Sequence, residues 1–101
     1  MEQWTIEQWQ AAMKNEEVTA LYFYTPMCGT CEVASKMLNI VNIAFPSLKI
    51  GKMDINYVQE LAFDYKIESV PCLIVAKRGE ITNKVYAFES VMKLYELLKI
   101  N

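Results

Sequence analysis

Apolar side chains recur along this chain with two different periods. Ile6, Trp9, Ala12 and Met13 fall on one side of a helix. Thr5 with Gln8 three residues later reads as a capping box, and Trp4 and Trp9 hold the two positions of a hydrophobic staple, so a helix is predicted from Thr5. The polar stretch Lys14-Asn15-Glu16-Glu17 ends it. From Val18 to Thr25, up to Pro26, β-branched and aromatic residues dominate, which predicts a strand. Its apolar residues do not alternate with polar ones, as expected of a strand covered on both faces. Helical spacing returns at Val33, Ala34, Met37, Leu38, Val41 and Phe45, in a helix predicted from Cys28 to about Ala44 and broken by Pro46-Ser47.

Leu48 to Asp54 reads as a second strand, and Val58 to Tyr65 as a short helix with Val58, Leu61, Ala62 and Tyr65 inward. Val70-Pro71 marks a turn. Cys72 to Lys77 reads as a buried strand, Arg78-Gly79 as a tight hairpin turn and Glu80 to Ala87 as the antiparallel partner. Ser90 caps a last helix with Val91, Tyr95 and either Leu94 or Leu98 inward. The order α-β-α-β-α-β-β-α predicts an α/β fold: a parallel unit, a closing antiparallel hairpin, and helices over both sheet faces. Residues 1–101 read as a single domain, with no internal repeat, low-complexity tract or linker.

Composition narrows the function. Hydrophobic residues make up 53% and charged residues 22%, which excludes a disordered chain. A net charge of -2 with scattered Lys and Arg offers no basic footprint, so no nucleic-acid partner is expected. Histidine is absent, which removes Ser-His-Asp and Cys-His catalysis and histidine metal sites. No run approaches the roughly eighteen apolar residues of a membrane helix, so no membrane partner is expected. The opening Met1-Glu2-Gln3-Trp4 lacks a secretory pattern. With three cysteines, an odd number, it points to a reducing compartment, the cytoplasm.

The chemistry concentrates at Cys28-Gly29-Thr30-Cys31, where the first predicted strand feeds the long helix. Free backbone N–H groups and the helix dipole stabilise a thiolate in such a first turn. Two intervening residues let one sulfur reach the other across a turn. Cys28, nearer the loop, is expected to attack a foreign disulfide, and Cys31, inside the turn, to resolve the mixed disulfide. Gly29 leaves the approach to Cys28 open, and Met27 is expected to be exposed and to line a substrate groove. Glu32 suits the dipole, and Asp54 a turn or cap. Half a zinc knuckle is the competing reading, but zinc sites take four ligands and only Cys72 remains.

Tyr24-Thr25-Pro26-Met27-Cys28-Gly29-Thr30-Cys31, with Ser69-Val70-Pro71-Cys72-Leu73-Ile74-Val75 and Lys77-Arg78-Gly79-Glu80, resembles the thioredoxin family over nearly the whole chain. The resemblance implies a thioredoxin-like fold, a mixed four- to five-stranded sheet covered by helices on both faces. It implies a thiol–disulfide oxidoreductase acting on protein disulfides, with no organic cofactor and recycled by a reductase or a low-molecular-weight thiol. By the same resemblance Pro71 is expected to be cis, with the Val70 backbone pairing with a bound substrate chain.

Four departures stand out: Met27 for the family's Trp, Thr30 for its Pro, Tyr22 for its buried Asp, and Lys36 for its mid-helix Pro. Lys52 matches the family's Lys. The proton-transfer helper is therefore expected to be lost, with Lys52, Glu32 or water in its place and a changed redox poise. Cys72 reads first as a small buried hydrophobe, and otherwise as a partner in a regulatory disulfide or a metal ligand. A metal- or iron–sulfur-binding module shared between two subunits and a catalytically weak adaptor are the rival functions. A monomer is expected.

Overall fold

The computed structural model describes residues 1–99. In chain order it has β1 (Glu2–Gln3), α1 (Ile6–Asn15), β2 (Val18–Tyr24), α2 (Gly29–Ala44), β3 (Lys49–Asp54), a 3-10 turn (Ile55–Tyr57), α3 (Gln59–Asp64), β4 (Cys72–Lys77), β5 (Glu80–Val85) and α4 (Val91–Leu98). The sheet has five strands in the order β1-β3-β2-β4-β5. β1, β3 and β2 run parallel, and β4 and β5 join antiparallel.

The predicted start of α1 forms as expected. Gln8 N–H donates to Thr5 Oγ1 and Thr5 N–H to Gln8 Oε1, while the Trp4 and Trp9 rings stack 6.2 Å apart. Arg78 and Gly79 both have positive φ, the condition for a two-residue turn joining β4 to β5. Ser90 Oγ accepts from Lys93 N–H, and both Leu94 and Leu98 turn inward.

Three expectations change. β1 has no apolar pattern because it pairs with β3 through backbone alone. The second strand of the closing hairpin stops at Val85, since Tyr86 leaves the ladder to bond the loop before Pro71. Val33, expected within the buried stripe of α2, is 60% exposed; Ala34, Leu38 and Val41 carry that stripe.

β2 lies between two partners and is buried on both faces. Its even-numbered residues Val18, Ala20 and Tyr22 pack with α2 and α4, while Leu21 and Phe23 pack with α1 and α3. Gly51 of β3 is where Trp4 crosses the sheet: a Cβ there would fall inside the indole. Only glycine admits that approach.

Candidate redox site

β2 ends at Tyr24, and Thr25-Pro26-Met27 carries the chain to Cys28, the N-cap of α2. The N-cap acceptor is a sulfur: Cys28 Sγ takes a hydrogen bond from Cys31 N–H at 3.1 Å. The Cys28 and Cys31 sulfurs are in disulfide contact, with Cα atoms 5.2 Å apart. Cys28 is half-buried and Cys31 only 3% exposed, in line with an outer attacking and an inner resolving thiol.

Thr30 Oγ1 lies 3.3 Å from Cys28 Sγ, close enough to donate to a thiolate there. A Cβ at Gly29 would meet nothing within 4 Å, so that side of Cys28 is open. Met27 is 96% exposed beside the pair, and Glu32 stands exposed in the first turn of α2.

The Val70–Pro71 peptide is cis, and the Val70 carbonyl lies 3.9 Å from Cys28 Sγ. The preceding loop is tied to the sheet edge. Glu68 N–H donates to Tyr86 Oη, which donates to the Lys66 carbonyl, and Lys84 Nζ donates to the carbonyls of Tyr65 and Lys66. Beside Pro71 an apolar cavity of about 400 Å³ opens between Thr30, Val33 and Met37 on one side and Tyr86 and Phe88 on the other.

Tyr22 lies under the pair. It is fully buried, donates to the Cys31 carbonyl at 2.6 Å and accepts from Ser35 Oγ at 3.1 Å. Burial raises its pKa, so the phenol is neutral near pH 7. The departure read as the loss of a proton-transfer helper therefore keeps a polar group under Cys31. Two sequence signs could have found this pair: a Tyr on the α2-facing parity of β2, and a Ser one helical turn after Cys31.

Lys52 is placed elsewhere. Its ammonium sits 5.5 Å from the Tyr24 ring centroid and bonds neither sulfur. Asp54 caps the 3-10 turn by accepting from Asn56 N–H. Cys72 lies fully buried opposite Phe23 in the α1/α3 layer, and burial pushes its thiol up to about 11. It packs as the small hydrophobe expected. Among the described residues no three Cys, His, Asp or Glu converge on one point.

Known proteins of this kind are similar to the chain along most of its length. The family model described as Thioredoxin matches residues 1–99. The "Thioredoxin-like protein YusE" of Bacillus subtilis (strain 168) is 46% identical over 84 residues, 83% of this chain and 79% of that one. The "Thioredoxin" of the same organism is 33% identical over 89 residues, 87% of this chain and 86% of that one. In fold, the oxidized form of mitochondrial thioredoxin 3 from Saccharomyces cerevisiae superposes with a TM-score of 0.85 over 97% of this chain and 92% of that one, at 18% identity.

Proposed function

The chain belongs to the thioredoxin family and is a thioredoxin-like thiol–disulfide oxidoreductase, and from that premise we propose that Cys28 is its attacking thiol and Cys31 its resolving thiol. The single observation that carries the assignment is the Cys28 sulfur at the N-cap of α2, accepting the Cys31 N–H at 3.1 Å. A donor aimed at a sulfur favours its thiolate.

The reduced Cys28 thiolate attacks one sulfur of a protein disulfide. The other sulfur leaves as a thiolate and takes up a proton. Cys31 loses its proton and attacks Cys28 Sγ, forming the Cys28–Cys31 disulfide and releasing the second substrate thiol. Two electrons pass from the pair to the substrate, and the cysteines carry them without an organic cofactor.

Gly29 and Thr30 complete the motif, and Thr30 supplies a hydroxyl to the Cys28 sulfur. Met27, Val70 and Pro71 form the substrate groove, with an extended substrate chain pairing against the Val70 backbone. Lys52 lies over the Tyr24 ring and has no direct part in the exchange. A reductase or a low-molecular-weight thiol restores the dithiol. We place the protein in the cytoplasm as a monomer, a setting that suits a working dithiol and a free Cys72. Among the described residues no helix is long and apolar enough to cross a membrane.

The test is a redox titration with thiol labelling read cysteine by cysteine, paired with insulin reduction. Cys28 and Cys31 should exchange as one disulfide while Cys72 stays reduced. Cys28→Ser should lower insulin turnover to the uncatalysed background. Equal turnover in both proteins would favour an adaptor, and stoichiometric metal held by the cysteines a binding module.

A further inference from the structure

Attack and resolution leave two polar side chains under α2 without a task. Tyr22 is fully buried on a parity of β2 shared with Val18 and Ala20. A phenol in such a place needs hydrogen-bond partners. It has the Cys31 carbonyl at 2.6 Å and the Ser35 hydroxyl at 3.1 Å. Cys31 is thereby held on both sides. Its N–H points at Cys28 Sγ, and its C=O is fastened to β2, which lies between β3 and β4.

We propose that Tyr22 is a positioning residue for the redox pair. By fastening the Cys31 carbonyl to the central strand, with Ser35 orienting the phenol, it aims the Cys31 N–H at the Cys28 sulfur and stabilises the Cys28 thiolate. The inference rests on Cys28 being the attacking thiol. A donor fixed beforehand stabilises charge without reorganising when that charge forms. A neutral phenol can hold a carbonyl but cannot take a proton from Cys31, so Tyr22 is no substitute base. The ionisable groups on the surrounding elements are Tyr24 of β2, Glu32 and Lys36 of α2, Lys49, Lys52 and Asp54 of β3, Cys72 and Lys77 of β4, and Lys66 and Glu68 of the loop before Pro71. None of them bonds either sulfur.

The experiment is the alkylation of Cys28 by iodoacetamide in the reduced protein, followed by mass across pH, for the parent, Tyr22→Phe and Ser35→Ala. Tyr22→Phe keeps the ring and removes the donor. Its alkylation rate at pH 7 should fall about three- to tenfold, through a rise in the thiol midpoint, with the high-pH plateau unchanged. Ser35→Ala should fall about twofold in the same direction. Profiles that superpose on the parent overturn the proposal, including the case where Tyr22→Phe only melts earlier. If Tyr22→Phe does not fold, an unchanged Ser35→Ala profile overturns it. Failure of the parent to reduce insulin would strike the proposed function instead, while the alkylation profiles would still decide the positioning role.

Discussion

On the α1 and α3 side of the sheet, Trp9, Leu21, Phe23, Met53, Cys72 and Ile74 close over one another. On the α2 and α4 side the packing is as complete around Leu38, Leu73, Val75 and Leu94, but Tyr22 interrupts it with a hydroxyl. Each side touches a cysteine. Cys31 sits in the first turn of a helix, with its carbonyl held by Tyr22 and its N–H on a neighbouring sulfur. Cys72 sits one residue beyond Pro71 and has only apolar packing, which raises its pKa. Nearness in sequence to the site thus says little about a thiol. What separates the Cys28 sulfur, served by that N–H, from the Cys72 sulfur is whether the backbone offers donors to a sulfur anion or the core withholds them.

The sharpest break of this division is Trp9→Ala. Trp9 is fully buried, and its indole N–H donates to Tyr65 Oη at 2.8 Å. Truncation should cost about 3–5 kcal/mol in urea unfolding. The folded fraction should keep its insulin turnover and Cys28 alkylation profile within about twofold, because the layer it damages supplies no hydrogen-bond donor to either sulfur of the pair. Turnover that falls further than the folded fraction would show that the two layers are coupled.

The same division explains what could be read before the structure. The start of α1 was legible because Thr5, Gln8, Trp4 and Trp9 interact within a few residues. The Cys28–Cys31 pair was legible because a strand-to-helix junction dictates its chemistry. β1 was not, since Glu2 and Gln3 pair by backbone groups that every residue carries. Tyr22 could be read only as a missing Asp, because its partner is the Cys31 carbonyl and no residue letter announces it. The exposure of Val33 followed from α2 burying a narrower stripe where it borders the cavity beside Pro71. The layer that Cys72 joins is set by its pairing with Phe23, a register that only the folded sheet reveals.

Cys72→Ala tests the core side of the comparison more gently. At neutral pH it should cost about 1–2 kcal/mol, the loss of a small group from a closed layer. Insulin turnover should be unchanged. The pH dependence carries a sign of its own. The folded thiol is pushed up to about 11 from an ordinary 9.0, so between those values the unfolded chain releases a proton that the folded chain keeps. The native state then binds more protons, and stability falls as pH rises from 9 toward 11. Buried Tyr22 shifts in the same direction and contributes the same sign in both proteins. The alkaline decline should therefore be shallower in Cys72→Ala than in the parent. Equal slopes in urea unfolding across this range would mean that Cys72 is not the proton-holding group.

Thr30→Val carries the smallest effect and probes the other side most finely. The substitution keeps the β-branched shape and removes the hydroxyl 3.3 Å from Cys28 Sγ. The Cys31 N–H remains as a donor, so the thiolate loses one of two hydrogen bonds and keeps its place at the end of α2. Thr30 is exposed, and water can replace part of what its hydroxyl supplies. Alkylation of Cys28 at pH 7 should slow about two- to threefold, less than for Tyr22→Phe, with stability within about 0.5 kcal/mol of the parent. The order of the two variants is the informative result. If Thr30→Val slows Cys28 more than Tyr22→Phe does, the thiolate is held chiefly by the exposed hydroxyl, and the buried support under Cys31 is the lesser contribution. If the order is as expected, the reactivity of the outer sulfur is set from within the core layer beneath it.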